Sequence, residues 1–502
     1  MEVTSEEIIV AGAIDIKYYK TPNETSPFAA EKLRCIKYND VTSNLETLLK
    51  ISWPLQPTRL GWSGFMQSYQ SGQYPGQSSI YFLPMIDMNS SDLTCIYSTL
   101  SFICKESLRL GVTPSITFDQ PLYWKAFTMI HNEPQGSPLK AIVLRLGGFH
   151  MQMSFLGCIG FVMQNSGLSD VLENIYASNT IEYMLNGKSV SRALRGHMIV
   201  DCVLHILLIS NILGLNLQET GSEDNENNNE VDERGAPKKV VDATMKAKFD
   251  KTLQLYHELL SGSIGVDDVL ENTDLTEIEE IIQEEKERLS KYPTAKLWIQ
   301  YMDMIRVMKI FIKAERTGDW HLHLYAVKEM LPFFAAAGHN LYLKSAYTYL
   351  QQMQTLEEDH SDTYLKFCEG YHVVRRSNRY WAGLPTDLII EQTLMRSVKT
   401  TGGMTRGKGM SEIQRAQWLL SMPACSSINN AMQEFENLQY CTSDQHKESS
   451  KSRQERDNKD VQMILSFLTD RNPFIEHADL RNIETGVTAS KEVNVHQALE
   501  VG

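Results

Sequence analysis

Ser115-Ile-Thr-Phe-Asp119-Gln-Pro-Leu-Tyr-Trp-Lys125 is the stretch on which the reading of the fold turns. A short apolar run closes on a carboxylate, a proline follows, and apolar residues then recur at helical spacing. The pattern predicts a strand over Ser115–Phe118 and a helix over Pro121–His131. Downstream, Ala141–Leu146 (AIVLRL) reads as a second strand. A helix joining two such strands makes them parallel, because the crossover is right-handed. Upstream, Ser79–Met85 (SIYFLPM) follows the turn-like Gln73-Tyr-Pro-Gly76 and reads as a third strand. It leads to a helix over Leu93–Leu110, with Ser91 and Asp92 as caps and Gly111 as its terminator. Ile8–Tyr19 carries a further strand signal. The expected class is α/β (α+β, helix-rich), with a mixed sheet that is parallel in part.

After Phe149 the periodicity is helical as far as Gly370. Inside this block Gln218–Arg234 holds seven acids and one base, the signature of a solvated loop, which is taken to extend over 218–238. The expected organisation is a sheet core in 1–200, a helical insertion in 201–370, a basic return segment in 371–440 and a charged, partly disordered tail in 441–502. With 48 Lys and Arg against 62 Asp and Glu, the formal charge is -14, so any face that meets nucleic acid must be local. Eight cysteines form no CxxC pair, which favours core thiols over a zinc cluster. No basic, apolar leader opens the chain, and Met198–Leu215 contains Asp201, His205, Ser210 and Asn211. It is expected to be a buried helix of an intracellular protein with no membrane contact. Self-association is left open.

Candidate chemistry falls at the strand ends. Asp119 and Asp87 each close a strand, where a carboxylate either holds a metal or caps the next helix. His150 follows the strand end Leu144-Arg-Leu-Gly-Gly148 and reads either as a phosphate or metal contact or as a satisfied core histidine. Between Tyr371 and Met410, Arg375, Arg376, Arg379, Arg396, Lys399, Arg406 and Lys408 face only Asp387 and Glu391, a local balance of +5. Tyr380 and Trp381 interleave with them, as a nucleic-acid groove would require. Glu391 lies one turn after Asp387 on a helix starting at Pro385-Thr386, where it completes a set of acids. The alternative is that these bases neutralise acidic helices of the same chain. Gly402–Gly409 resembles a phosphate loop but has Gly409 where Ser or Thr would hold magnesium. His321 and His323 point to different faces, and no HExxH occurs.

The segments TFDQPLYWKA, LRLGGFHMQMSFLG, GKSVSRALRGH and HVVRRSNRYWAGLPTDLIIEQTLMRSVKTTGGMTRGKGM resemble a large set of uncharacterised metazoan proteins of transposon origin. The resemblance covers residues 8–434 and implies an RNase H-like core of the DDE transposase type, interrupted by a large α-helical insertion. Asp119 then resembles the second catalytic acid and Glu391 the third, with the first expected on an opening strand ahead of Met1. Asp87, and more weakly Asp15, are substitutes offered by the residues themselves. On this reading Asp119 and Glu391 hold Mg²⁺ or Mn²⁺, His150 orients phosphate, and the basic residues clamp DNA, in the nucleus. The competing reading keeps the fold without the chemistry, as a DNA-binding or protein-interaction module with no metal.

Overall fold

The computed structural model describes residues 33–40, 42–56, 59–80, 89–215, 243–375, 377–392 and 450–490, with six single positions between 411 and 431. Two compact units interleave along the chain. One comprises Met1–Tyr38, Ser71–Ser154 and Lys309–Asp444, the other Asn39–Gln70, Phe155–Met308 and Gln445–Gly502.

The first unit contains the deciding stretch. Strand β1 (Ser115–Phe118) pairs in parallel with β2 (Val143–Leu146), with Phe118 opposite Leu146. The helix Gln120–Asn132 connects them, so this βαβ unit forms as its sequence pattern predicts. Asp119 caps that helix: its carboxylate accepts from Leu122 N–H at 3.2 Å, with Pro121 in the first turn. Leu93–Leu110 is also a helix, capped by Asp92 on Thr94 N–H and ended by Gly111 in the left-handed region.

The expected RNase H-like mixed sheet is not present among the described residues. The described residues are 69% helix and 4% strand, and the strands form two two-stranded sheets. The second sheet pairs β3 (Val374–Arg375) with β4 (Gly383–Leu384) in antiparallel fashion. Ser79 and Ile80 are not in a strand, and 81–88, with Asp87, lie outside the described residues, as do Ile8–Tyr19 and the acidic loop 218–238. The physical reason lies in what covers the pair. The helix Asn340–Gln354 packs against β2, whose four residues are all buried, and Thr386–Gln392 against β1, whose Ile116 and Phe118 are half-buried, so helices stand where neighbouring strands would otherwise pack. A strand-like sequence needs an apolar partner, and a helix supplies one.

The second unit is helical. Its central helix, Val190–Leu213, is long and apolar enough to cross a membrane, and 89% of its apolar window is buried within the protein. The helices Ser43–Leu55 and Lys451–Asp470 pack on it. The latter falls in the tail expected to be partly disordered. It is anchored by Arg195, whose Nε donates to Asp457 at 2.8 Å and whose Nη2 meets Asp460 at 2.5 Å.

Candidate functional site

The site sits where β1 and β2 end. Gly147, just past β2, donates its N–H to Phe118 O at 2.7 Å, which holds the two strand ends together. The helix Gly148–Val162 starts at once, and its first N–H groups need acceptors. Asp387, from the distant helix Thr386–Gln392, supplies them. Its Oδ1 accepts from Phe149 N–H at 3.0 Å and its Oδ2 from His150 N–H at 3.1 Å. The same Oδ2 lies 3.0 Å from His150 Nδ1. Thr386 Oγ1 bonds Thr117 Oγ1 at 3.0 Å, which fixes the helix against β1. A side chain at 147 would collide with Asp387 Oδ2, so glycine is what allows the carboxylate to approach.

Electrostatics follow from this geometry. Asp387 is 7% exposed and His150 28% exposed in their side chains. The hydrogen bond to Asp387 raises the His150 pKa above its ordinary value; burial opposes this, and the charges of Asp387, Asp119 and Glu391 add to it. Asp119 and Asp387 also face Tyr342, whose hydroxyl is pushed far up, chiefly by burial. Asp119, His150 and Glu391, taken from a strand end, a helix start and a segment some 240 residues further on, therefore share one neighbourhood. The ligating atoms have not closed into a metal cage. Among the described residues, the group of three His, Cys, Asp or Glu with ligand atoms within 4.8 Å of one another is Glu315, His323 and His372, in the same unit.

Residues 61–502 match the family described as Domain of unknown function (DUF8702). The chain belongs to the DUF8702 family. No curated protein and no solved structure matches it.

In this DUF8702 chain the basic candidates do not stand together on a described surface. Arg375 is fully buried. Its Nη1 donates to Tyr380 O at 2.7 Å and its Nη2 to Thr317 O, and the guanidinium lies 5.0 Å from the Tyr74 ring. It ties the β3–β4 turn to the end of the helix Pro293–Thr317. Arg379 is half-buried. Arg376, Arg396, Lys399, Arg406 and Lys408 lie outside the described residues, as does Asp87. Sequence reasoning missed Asp387 as the residue that orients His150. Its signal was present in Pro385-Thr386-Asp387, a helix-start pattern, but which helix it would cap depends on tertiary placement.

Proposed function

We propose that this DUF8702 chain binds a divalent cation, Mg²⁺ or Mn²⁺, beside Asp119 and Glu391 and acts there on a DNA phosphodiester. The observation that supports the reading is the His150 imidazole, which Asp387 bonds through Nδ1 and on which the charges of Asp119 and Glu391 also act. A site that stabilises one positive charge in this way also suits a metal dication, which carboxylates hold while it activates water or a 3'-hydroxyl. Asp387 fixes the His150 ring from its Nδ1 side, leaving Nε2 to meet a phosphate oxygen. DNA as substrate is supported by the resemblance to transposon-derived proteins and by the local excess of bases between Tyr371 and Met410. Such a protein works in the nucleus.

A second reading has its own support. Asp119 is already engaged on Leu122 N–H, and Asp387 is committed to the start of the Gly148 helix. A chain that uses its acids as caps serves as a non-catalytic DNA-binding or protein-interaction module. Nicking of supercoiled plasmid by the full chain separates the two. Metal-dependent nicking that is lost in Asp119→Asn and Glu391→Gln supports the first. Absence of nicking in all three proteins, with DNA retained in a mobility-shift assay, supports the second.

A further inference from the structure

The helix Pro293–Thr317 ends at Gly318, whose φ of +77° suits glycine, and Asp319 caps the helix Trp320–Ala336 by accepting from Leu322 N–H at 2.9 Å. This break folds the chain back so that Glu315, near the end of one helix, faces His323 in the next. The Glu315 Oε1 to His323 Nδ1 distance is 2.6 Å. His323 Nε2 lies 3.0 Å from the Tyr349 hydroxyl, and the Trp320 indole stacks on the imidazole at 5.3 Å. His372 arrives from the segment just ahead of β3, with its ring centroid 5.7 Å from that of His323.

All three side chains are interior: Glu315 is 4% exposed, His323 0% and His372 1%. His372 is the informative one. Its Nδ1 lies 3.2 Å from Phe367 O, and a carbonyl only accepts, so Nδ1 carries the proton. Its Nε2 is buried with no hydrogen-bond partner. A buried imidazole nitrogen without a partner thus faces a carboxylate and a second imidazole in the interior, an arrangement that carries a desolvation penalty unless something fills it.

We propose that Glu315, His323 and His372 form a structural site for one transition-metal ion of the zinc class, bound by a Glu315 oxygen, His323 Nδ1 and His372 Nε2. Each imidazole then has its other nitrogen fixed by an oxygen, Phe367 O for His372 and the Tyr349 hydroxyl for His323, the outer-shell pattern that orients histidine ligands. The ligand chemistry selects the metal. Two imidazoles and one carboxylate suit Zn²⁺ and its neighbours, whereas Mg²⁺ and Ca²⁺ need oxygen-rich sites. Arg145, which donates to His372 O at 2.5 Å, repels any cation. The ion must therefore be held by strong metal–nitrogen bonds rather than by net negative charge. Three protein ligands leave a fourth position for a small ligand such as water, and full burial closes it to substrate, which makes the site structural and separate from the His150 neighbourhood. Its mechanical effect is to pin the segment carrying β3 to the two helices joined at Gly318.

The test uses the full chain, purified without a polyhistidine tag. Elemental analysis is expected to find about one zinc per chain. Stripping and refilling with Co²⁺ is expected to give visible d–d bands without the near-ultraviolet charge transfer that thiolate ligands produce, which distinguishes this site from the eight cysteines. His372→Gln is expected to lose the bound equivalent. Should that variant fail to fold, Tyr349→Phe decides, because it leaves the ligands in place and should weaken metal affinity roughly 10- to 100-fold. A folded, metal-free protein that retains no Zn²⁺ or Co²⁺ overturns the proposal, as does cobalt bound through thiolate or affinity unchanged in Tyr349→Phe.

Discussion

Replacing Asp387 with alanine tests the geometry of the His150 neighbourhood most sharply, because one carboxylate does two separable jobs. It caps the Gly148 helix by accepting from Phe149 and His150 N–H, and it holds the His150 ring through Nδ1. Loss of the cap costs about 1 kcal/mol at any pH. Loss of a charge-assisted bond to the imidazolium costs about 1.5–3 kcal/mol while the ring is protonated, but about 0.5–1.5 kcal/mol once it is neutral. The His150 pKa is raised in the folded protein, so its contribution is fully present below the unfolded value of about 6.5 and is lost as pH rises through the folded one. Asp387→Ala should therefore destabilise the first unit by roughly 2.5–4 kcal/mol at pH 6 and by roughly 1.5–2.5 kcal/mol at pH 9. Guanidinium unfolding followed by circular dichroism at the two pH values measures this, with His150→Gln as the second arm of a double-mutant cycle. The coupling between the two sites should shrink as pH rises. Equal destabilisation at pH 6 and pH 9, with no coupling at either, would refute the assignment of Asp387 as the orienting partner of His150.

Three further outcomes follow from the packing. Gly147→Ala should cost about 1–3 kcal/mol, because the new methyl meets Asp387 Oδ2 and, at 3.1 Å, Phe118 O; thermal unfolding reads it, and the His150 titration should shift down in the same variant. His197 in the second unit is 1% exposed, and burial lowers its pKa to about 4. Because the folded state binds fewer protons, stability falls as pH drops below about 6.5, and a His197→Gln protein should lose about 2 kcal/mol less by pH 5 in urea titrations. Arg375→Lys removes the fork that reaches Tyr380 O and Thr317 O together, and should cost about 1–3 kcal/mol of stability while leaving the salt dependence of DNA binding unchanged.

Local structure was legible in this sequence where caps and turns are coded by neighbouring residues. Asp92 and Gly111 bound their helix as expected, Asp119 caps the next, and β1 and β2 pair in parallel across it. The sheet class was misread because apolar strands do not specify whether strands or helices will cover them, and here the helices Asn340–Gln354 and Thr386–Gln392 do so. Asp119, His150 and Glu391 were singled out from strand-end position and family resemblance, and they do share a neighbourhood. Asp387 was passed over as an acid among bases, since its bonds run to residues some 240 positions away. Arg375 illustrates the converse. Its charge suggested a surface contact, whereas the backbone carbonyls of Thr317, Arg379 and Tyr380 draw the guanidinium inside, something only the tertiary path decides. Glu315 and His372 carried no motif at all: Glu315 meets His323 across a helix break, and His372, 57 residues after Glu315, arrives on the segment just ahead of β3.

The central claim is that Asp119 and Glu391 hold a divalent cation beside His150, and ion binding tests it without reliance on turnover. With the histidines isotopically labelled in the full chain, substoichiometric Mn²⁺ should broaden the His150 ring resonance through its paramagnetism ahead of exposed histidines such as His131 and His257, and Mg²⁺ should lower the His150 pKa by competing with its proton. Both effects should vanish in Asp119→Asn/Glu391→Gln. A His150 signal that titrates identically with and without Mg²⁺, and broadens no more than the exposed histidines when Mn²⁺ is added, would contradict the account.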